Sequence, residues 1–225
     1  MYNSYGSISC CCWCLLLVPN DYEMDKGDSM IFLYSGTPGS GKSLHAAQII
    51  INGLKHKRPI ICNFDIAQNV KGREYFTYKD NELLTPEYLM QYSRDYFKDK
   101  KIQEDKILLI IDECQMLFNA REWSVFNRKA WLKFFTTHRH YGYCIVLVAQ
   151  FDRMIDRQIR SLIEYEYIHR KLSNFGWRGM MLNIIFGGKT FVAVKSWYPL
   201  KEKVGSEFFH ARKKLYRIYD SYQTF

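Results

Sequence analysis

Gly36-Thr37-Pro38-Gly39-Ser40-Gly41-Lys42-Ser43 fills every fixed position of the pattern G-x-x-x-x-G-K-[ST], and its surroundings decide how it is read. An apolar run, Met30 to Tyr34, precedes it, and a helical pattern, Leu44 to Leu54, follows it. Strand, glycine-rich turn and helix in that order form a phosphate-binding loop. Gly36, Gly39 and Gly41 let the backbone take turns closed to residues with a Cβ, so successive N–H groups can face one concavity. The following helix turns its positive end to the same point. Lys42 is placed to meet the β- and γ-phosphates of a nucleoside triphosphate, and the Ser43 hydroxyl to ligate Mg2+. Contacts to ATP are therefore expected from Gly36, Thr37, Pro38, Gly39, Ser40, Gly41, Lys42, Ser43 and Leu44.

Outward from the loop, the chain alternates strand and helix. The pattern predicts strands at 30–35 and Pro59 to Asn63 with a helix at 42–54 between them, the start of a parallel βαβ unit. Asp65 to Leu84 reads as polar and irregular. A helix follows from Pro86 to about Lys98, with Thr85 as cap and Pro86 in the first turn. Ile107 to Ile111 and Tyr143 to Ala149 are continuous apolar runs, as central parallel strands covered on both faces require. Between them Asn127 to His140 reads as an amphipathic helix with Trp131, Phe134 and Phe135 on its apolar side. Asp152 is expected to open a helix to about Ile163, and Tyr165 to Leu172 to form a strand. The C-terminal part reads as a hairpin, Met181 to Phe186 turning at Gly187-Gly188 into Thr190 to Tyr198, followed by a basic aromatic tail. The fold class is α/β: a mostly parallel sheet flanked by helices, carrying a phosphate loop and a C-terminal β-hairpin extension. The domain is expected over 30–225, with residues 1–29 as an extension.

Leu108 to Glu113 reads Leu-Leu-Ile-Ile-Asp-Glu, a buried strand ending in paired acids. Asp112 stands where a carboxylate can hold Mg2+, and Glu113 where one can orient or deprotonate an attacking water. Gln150 ends the next apolar strand, in the crevice where open α/β sheets bind ligands, and can sense the γ-phosphate or cap the following helix. His138-Arg139-His140 lies at the end of a helix. Cations there are favoured by the helix dipole, and Arg139 can also serve as an arginine finger to a neighbouring subunit. Arg157 and Arg160 compete for that role.

With 225 residues the chain suits one α/β domain with appendages. Its net charge of +9 fits a polyanionic partner, nucleic acid or anionic membrane. Trp123, Trp131, Trp177 and Trp197 stand among basic residues and can serve either as core or as stacking platforms for single-stranded DNA. Of seven cysteines, Cys62, Cys114 and Cys144 fall in or beside apolar strands, which points to buried thiols in a reducing compartment. Cys10, Cys11, Cys12 and Cys14 include one C-x-x-C pair without a second pair at finger spacing, which argues against zinc. The apolar stretch Cys10 to Val18 is shorter than a membrane span and has no preceding Lys or Arg, and a translational start at Met24 or Met30 is the plainer reading of this segment. No later stretch is long enough to cross a bilayer, so a cytoplasmic protein is expected, peripheral at most to a membrane.

Taken together, Gly36 to Ser43, Leu108 to Glu113, His138-Arg139-His140-Tyr141-Gly142, Gln150 and the tail Tyr216-Arg217-Ile218-Tyr219-Asp220-Ser221 resemble the N-terminal domain of the zonular occludens toxin family, from about Met30 to Ser221. That family includes assembly ATPases of filamentous phages and is similar to the FtsK/HerA class of DNA-pumping ATPases. The resemblance implies ATP hydrolysis coupled to virion assembly and export of single-stranded phage DNA or its nucleoprotein complex, by a homo-oligomeric ring at the host inner membrane. Well-known members continue into a transmembrane helix and a periplasmic domain, whereas this sequence ends at Phe225, so membrane attachment is expected either through an assembly partner or not at all. The toxin label does not transfer. A small-molecule kinase with the same loop and a nucleotide-gated DNA or membrane adaptor without turnover are the alternatives. Glu113 and Gln150 in water-orienting positions argue against the kinase, which must exclude water.

Overall fold

A computed structural model describes residues 30–119, 125–174, 176–185, 189–211, 213–216 and 218. The expectations placed on residues 1–29, on Trp123 and on the Gly187-Gly188 turn lie outside the described residues. In chain order the elements are β1 (Ile31–Ser35), α1 (Lys42–Lys55), β2 (Ile60–Cys62), β3 (Phe76–Tyr78), α2 (Pro86–Tyr96), β4 (Ile107–Ile111), α3 (Val125–Thr137), β5 (Tyr143–Val148), α4 (Arg157–Arg160), β6 (Tyr165–Lys171), α5 (Gly176–Ile185), β7 (Thr190–Trp197), β8 (Glu202–His210) and α6 (Lys213–Tyr216).

The strands form one eight-stranded sheet in the order β3-β2-β4-β5-β1-β6-β7-β8. Strands β3 through β6 in that order run parallel, and β7 and β8 are added antiparallel at one side. Alternation along β4 explains its unbroken apolar run. Leu108 and Ile110 join Phe32, Tyr34, Ile50, Val146 and Tyr167 on the face covered by α1 and α6. Ile107, Leu109 and Ile111 join Leu33, Leu89, Trp131, Phe134, Phe135 and Ile145 on the face covered by α2, α3 and α4. The buried thiols of Cys62, Cys114 and Cys144 are free, and burial pushes all three above the ordinary cysteine value, that of Cys144 to about 12.

Three expectations are corrected. Asp65 to Leu84 is not wholly irregular: Phe76–Tyr78 pairs in parallel with β2 as a three-residue edge strand, too short to show a period. The helix expected from Asp152 is replaced by a 3-10 turn and the single-turn α4, because Ile155 bridges Asn119 and the Asp156 N–H donates to the Phe118 carbonyl at 3.0 Å. The first arm of the expected hairpin, Met181 to Phe186, lies instead largely in helix α5, and the hairpin is β7–β8. Trp177, Met180, Met181 and Ile184 recur at helical spacing, and an apolar run of that length reads equally as strand or helix from pattern alone. Among the described residues no helix is long and apolar enough to cross a membrane.

Trp131 is 5% exposed and meets Phe118 and Phe135 ring to ring, whereas Trp177 is 73% exposed. Trp131 is therefore core. Trp131→Ala is expected to cost about 3–5 kcal/mol in urea unfolding, against less than about 0.5 kcal/mol for Trp177→Ala. Thr85, whose Oγ1 accepts from the Tyr88 N–H at 3.2 Å, caps α2 as the sequence predicts. Thr85→Ala is expected to cost about 1 kcal/mol in the same measurement.

Candidate functional site

The phosphate loop leaves the carboxyl end of β1 and is pinned at both ends. The Gly36 N–H donates to the Gln150 carbonyl at 3.2 Å, and the His45 N–H donates to the Gly41 carbonyl at 2.9 Å in the first turn of α1. Gly36 has φ +143°, and a Cβ there would stand 2.6 Å from the His169 carbonyl oxygen. At Gly41, φ +99°, a Cβ would stand 2.7 Å from the Phe191 ring. Only glycine fits between the loop and the strands beside it. The Lys42 ammonium donates to the Gly36 carbonyl at 2.8 Å and approaches that of Thr37 at 3.4 Å. Burial pulls it below the ordinary lysine value, while the Glu113 and Asp112 carboxylates push it back up.

Strand β4 delivers the acid pair to the same edge. Strand order puts β5 between β1 and β4, and the Ser43 hydroxyl reaches across to Asp112 Oδ2 at 3.4 Å. The two expected Mg2+ ligands thus face each other. The Ser40 hydroxyl is buried inside the loop without a hydrogen-bond partner, a polar atom that a phosphate oxygen would satisfy. The residues present fit a nucleotide with Mg2+. Among the described residues no cluster of three or more His, Cys, Asp or Glu could cage a metal.

Asn63 joins these residues although it was not singled out in the sequence. It ends β2, and its side-chain amide donates to the Asp112 carbonyl at 2.8 Å and accepts from the Asp112 N–H at 2.7 Å. The amide thereby extends the strand pairing by one residue and holds Asp112 in place. The signal that marks Gln150, a polar amide after an apolar run, marks Asn63 equally. Glu113 takes a left-handed conformation, φ +46°, and Gln115 donates its side-chain amide to Glu113 Oε2. Gln150 lies between loop and acid pair at the end of β5, with its backbone bound to Gly36. Arg139 stands elsewhere. It precedes β5, at the end of the sheet away from the loop, where it pairs with Glu164 at 2.8 Å. Within one chain it does not join the site; Arg157 and Arg160 lie on α4.

A buried histidine pair supports the loop from below. His45 of α1 and His169 of β6 approach at 2.8 Å between Nδ1 and Nε2. His169 Nδ1 faces the carbonyls of Tyr167 at 2.9 Å and Ser35 at 3.2 Å, which only accept, so this nitrogen carries the proton. His169 Nε2 then accepts from His45 Nδ1–H. His45 Nε2 points toward Glu207 of β8, 3.7 Å away. Burial holds both imidazoles below the ordinary histidine value, His169 at about 4.

Two predictions follow from these braces. Asn63→Ala strands the Asp112 N–H and carbonyl, and a loss of about 1–3 kcal/mol is expected in urea unfolding. For the histidines, the unfolded chain binds protons that the native one refuses. Stability is full above the unfolded histidine value and falls as pH drops from about 6.5 toward 4, by up to about 1.4 kcal/mol per pH unit for each histidine. Urea titrations across that range should show a shallower slope for the double variant His45→Gln, His169→Gln.

The chain is 26% identical to the "Gene 1 protein" of Enterobacteria phage M13 over 210 residues, covering 87% of this chain and 60% of that one. This chain therefore spans less than two thirds of the relative's length. Its fold is similar to the N-terminal domain of zonular occludens toxin from Neisseria meningitidis, with a TM-score of 0.53 at 19% identity over 85% of this chain and 99% of the other. It is also similar to B204, the DNA-packaging ATPase from Sulfolobus turreted icosahedral virus, with a TM-score of 0.52 at 15% identity over 82% and 98% of the two chains. Residues 30–225 match the family model described as Zonular occludens toxin (Zot), and the chain belongs to that family.

Proposed function

We propose that this chain binds ATP with Mg2+ and hydrolyses it as the motor domain of a filamentous-phage type assembly machine. The observation that carries this reading is the Ser43 hydroxyl facing the Asp112 carboxylate at 3.4 Å beside a glycine loop that holds Lys42. Gly36 through Leu44 cradle the triphosphate with backbone N–H groups and the Lys42 charge. Ser43 and Asp112 hold Mg2+, which when bound neutralises charge that develops on the phosphates. Glu113, with its carboxylate fixed by Gln115, takes the proton of the attacking water, and Gln150 senses the γ-phosphate or orients that water. Family membership supports a role in virion assembly and export of single-stranded phage DNA or its nucleoprotein complex. It also supports a homo-oligomeric ring and an inner-membrane assembly partner. The +9 charge suits a polyanionic cargo.

Arg139 is our choice for a finger supplied to the neighbouring subunit. Its side chain is 47% exposed, and a ring can present it to a neighbour once its contact with Glu164 opens. The decisive measurement is ATP hydrolysis with and without Mg2+ and single-stranded DNA. Mg2+-dependent turnover stimulated by DNA supports the motor; binding without turnover supports an adaptor instead. Lys42→Ala should abolish ATP binding, because it removes the charge opposite the terminal phosphates. Glu113→Gln should bind ATP yet hydrolyse it about 10²–10⁴-fold more slowly. Arg139→Ala should bind ATP and hydrolyse it poorly, and mixing it with Glu113→Gln protein should restore activity at interfaces that pair an intact Glu113 with an intact Arg139. Mixed rings that form without recovery would remove Arg139 from the site.

A further inference from the structure

Strand β6 runs past the end of β1 and alongside the phosphate loop. Ser35, the last residue of β1, is in register with Ile168, and Gly36 packs on the backbone of His169. Two residues further on, alternation returns the side chain to the face of the sheet occupied by Tyr167 and α1. That residue is Lys171. Its cross-strand partner is Phe191, the ring that fills the space beside Gly41. The Lys171 ammonium stands 3.5 Å from the position of a Cβ on Gly39, and its Cε 3.8 Å, at the tip of the loop. Lys171 and Phe191 therefore flank one loop from one pair of strands, the ring against its second half and the charge over its tip.

Lys171 is exposed, and among the described residues it forms no ion pair or hydrogen bond with a carboxylate. An exposed lysine beside an acid would be a surface pair of little consequence. Here its neighbour is a turn whose backbone N–H groups form an anion site, and a cation brought against that turn without a negative partner only adds to the positive potential there. Resting on the reading of this loop as a nucleotide site, we propose that Lys171 is a second cation of that site, engaging the polyphosphate of the bound nucleotide from the β6 side in the same chain, opposite to Lys42. Lys42 is enclosed by the loop, whereas Lys171 approaches from outside it. The contact is consequently salt-sensitive and tolerates arginine, which carries the same charge to the same place.

The experiment is calorimetric titration of the full chain with MgATP and MgADP at low and at raised salt, for wild type, Lys42→Ala, Lys171→Gln and Lys171→Arg, with melting temperatures of the nucleotide-free proteins. Lys171→Gln is expected to weaken both nucleotides about tenfold at low salt, with the gap narrowing as salt rises. Lys171→Arg is expected to restore most of the affinity, and none of the Lys171 variants to change the nucleotide-free melting temperature. Lys171→Gln titrating like wild type, while Lys42→Ala does not bind, would overturn the role of Lys171 and leave the nucleotide site standing. A loss of affinity that follows a lowered melting temperature and is not rescued by arginine would assign Lys171 to folding instead. Wild-type protein that binds neither nucleotide would remove the nucleotide reading and the role of Lys171 together.

Discussion

The phosphate loop closes where the sheet leaves no room for side chains, and much of the site depends on that exclusion. At Gly36 the carbonyl oxygen of His169 occupies the place of a Cβ, and at Gly41 the ring of Phe191 does. Either substitution would strain a backbone already in the left-handed half of conformational space and push the loop from its support. The loop is thus shaped from outside by β6 and β7 as much as by its own glycines. Strands that extend the sheet beyond β1 become part of the loop's support.

Support from that side continues into the core. The histidine pair ties the first turn of α1 to β6 and to the Ser35 carbonyl, directly before the loop. Ser35 also donates its hydroxyl to the buried Glu166 at 2.6 Å, and Glu166 is neutralised by Lys201 at 2.8 Å from the β7–β8 turn. A buried carboxylate is tolerated only when it is paired in this way. On the other side of β1, Asn63 fixes Asp112 through both of its backbone groups. Ser35, directly before the loop, and Asp112, directly after β4, are therefore both held by polar contacts within the fold.

The C-terminal strands connect this support to the surface. Glu207 of β8 reaches toward His45 under the loop, and β8 is the outer strand of the sheet on that side. Its charged, largely exposed residues, among them Glu202 and Lys203, discourage pairing with further strands. The hairpin and the loop thus share a set of contacts through His45.

Much of the fold and of the site was legible because it is written in short stretches. The glycine loop needs only its own spacing, β4 and β5 announce burial on both faces by unbroken apolar runs, and the Thr85-Pro86 start of α2 is a local capping signal. Asp112, Glu113 and Gln150 stand out in the sequence because they follow such runs. The exchange of strand for helix at Met181 to Ile185 shows the limit of that method: five residues, four of them apolar, fit either period, and the neighbours in space decide. Asn63 bracing Asp112 joins residues 49 positions apart, and the His45–His169 pair spans 124. The sequence alone determined that a phosphate loop and an acid pair sit at the ends of buried parallel strands. Only the tertiary structure decided what stands beside them, because strand order brings Asn63, His169, Lys171 and Phe191 to the site, and no local pattern encodes the order of strands in a sheet.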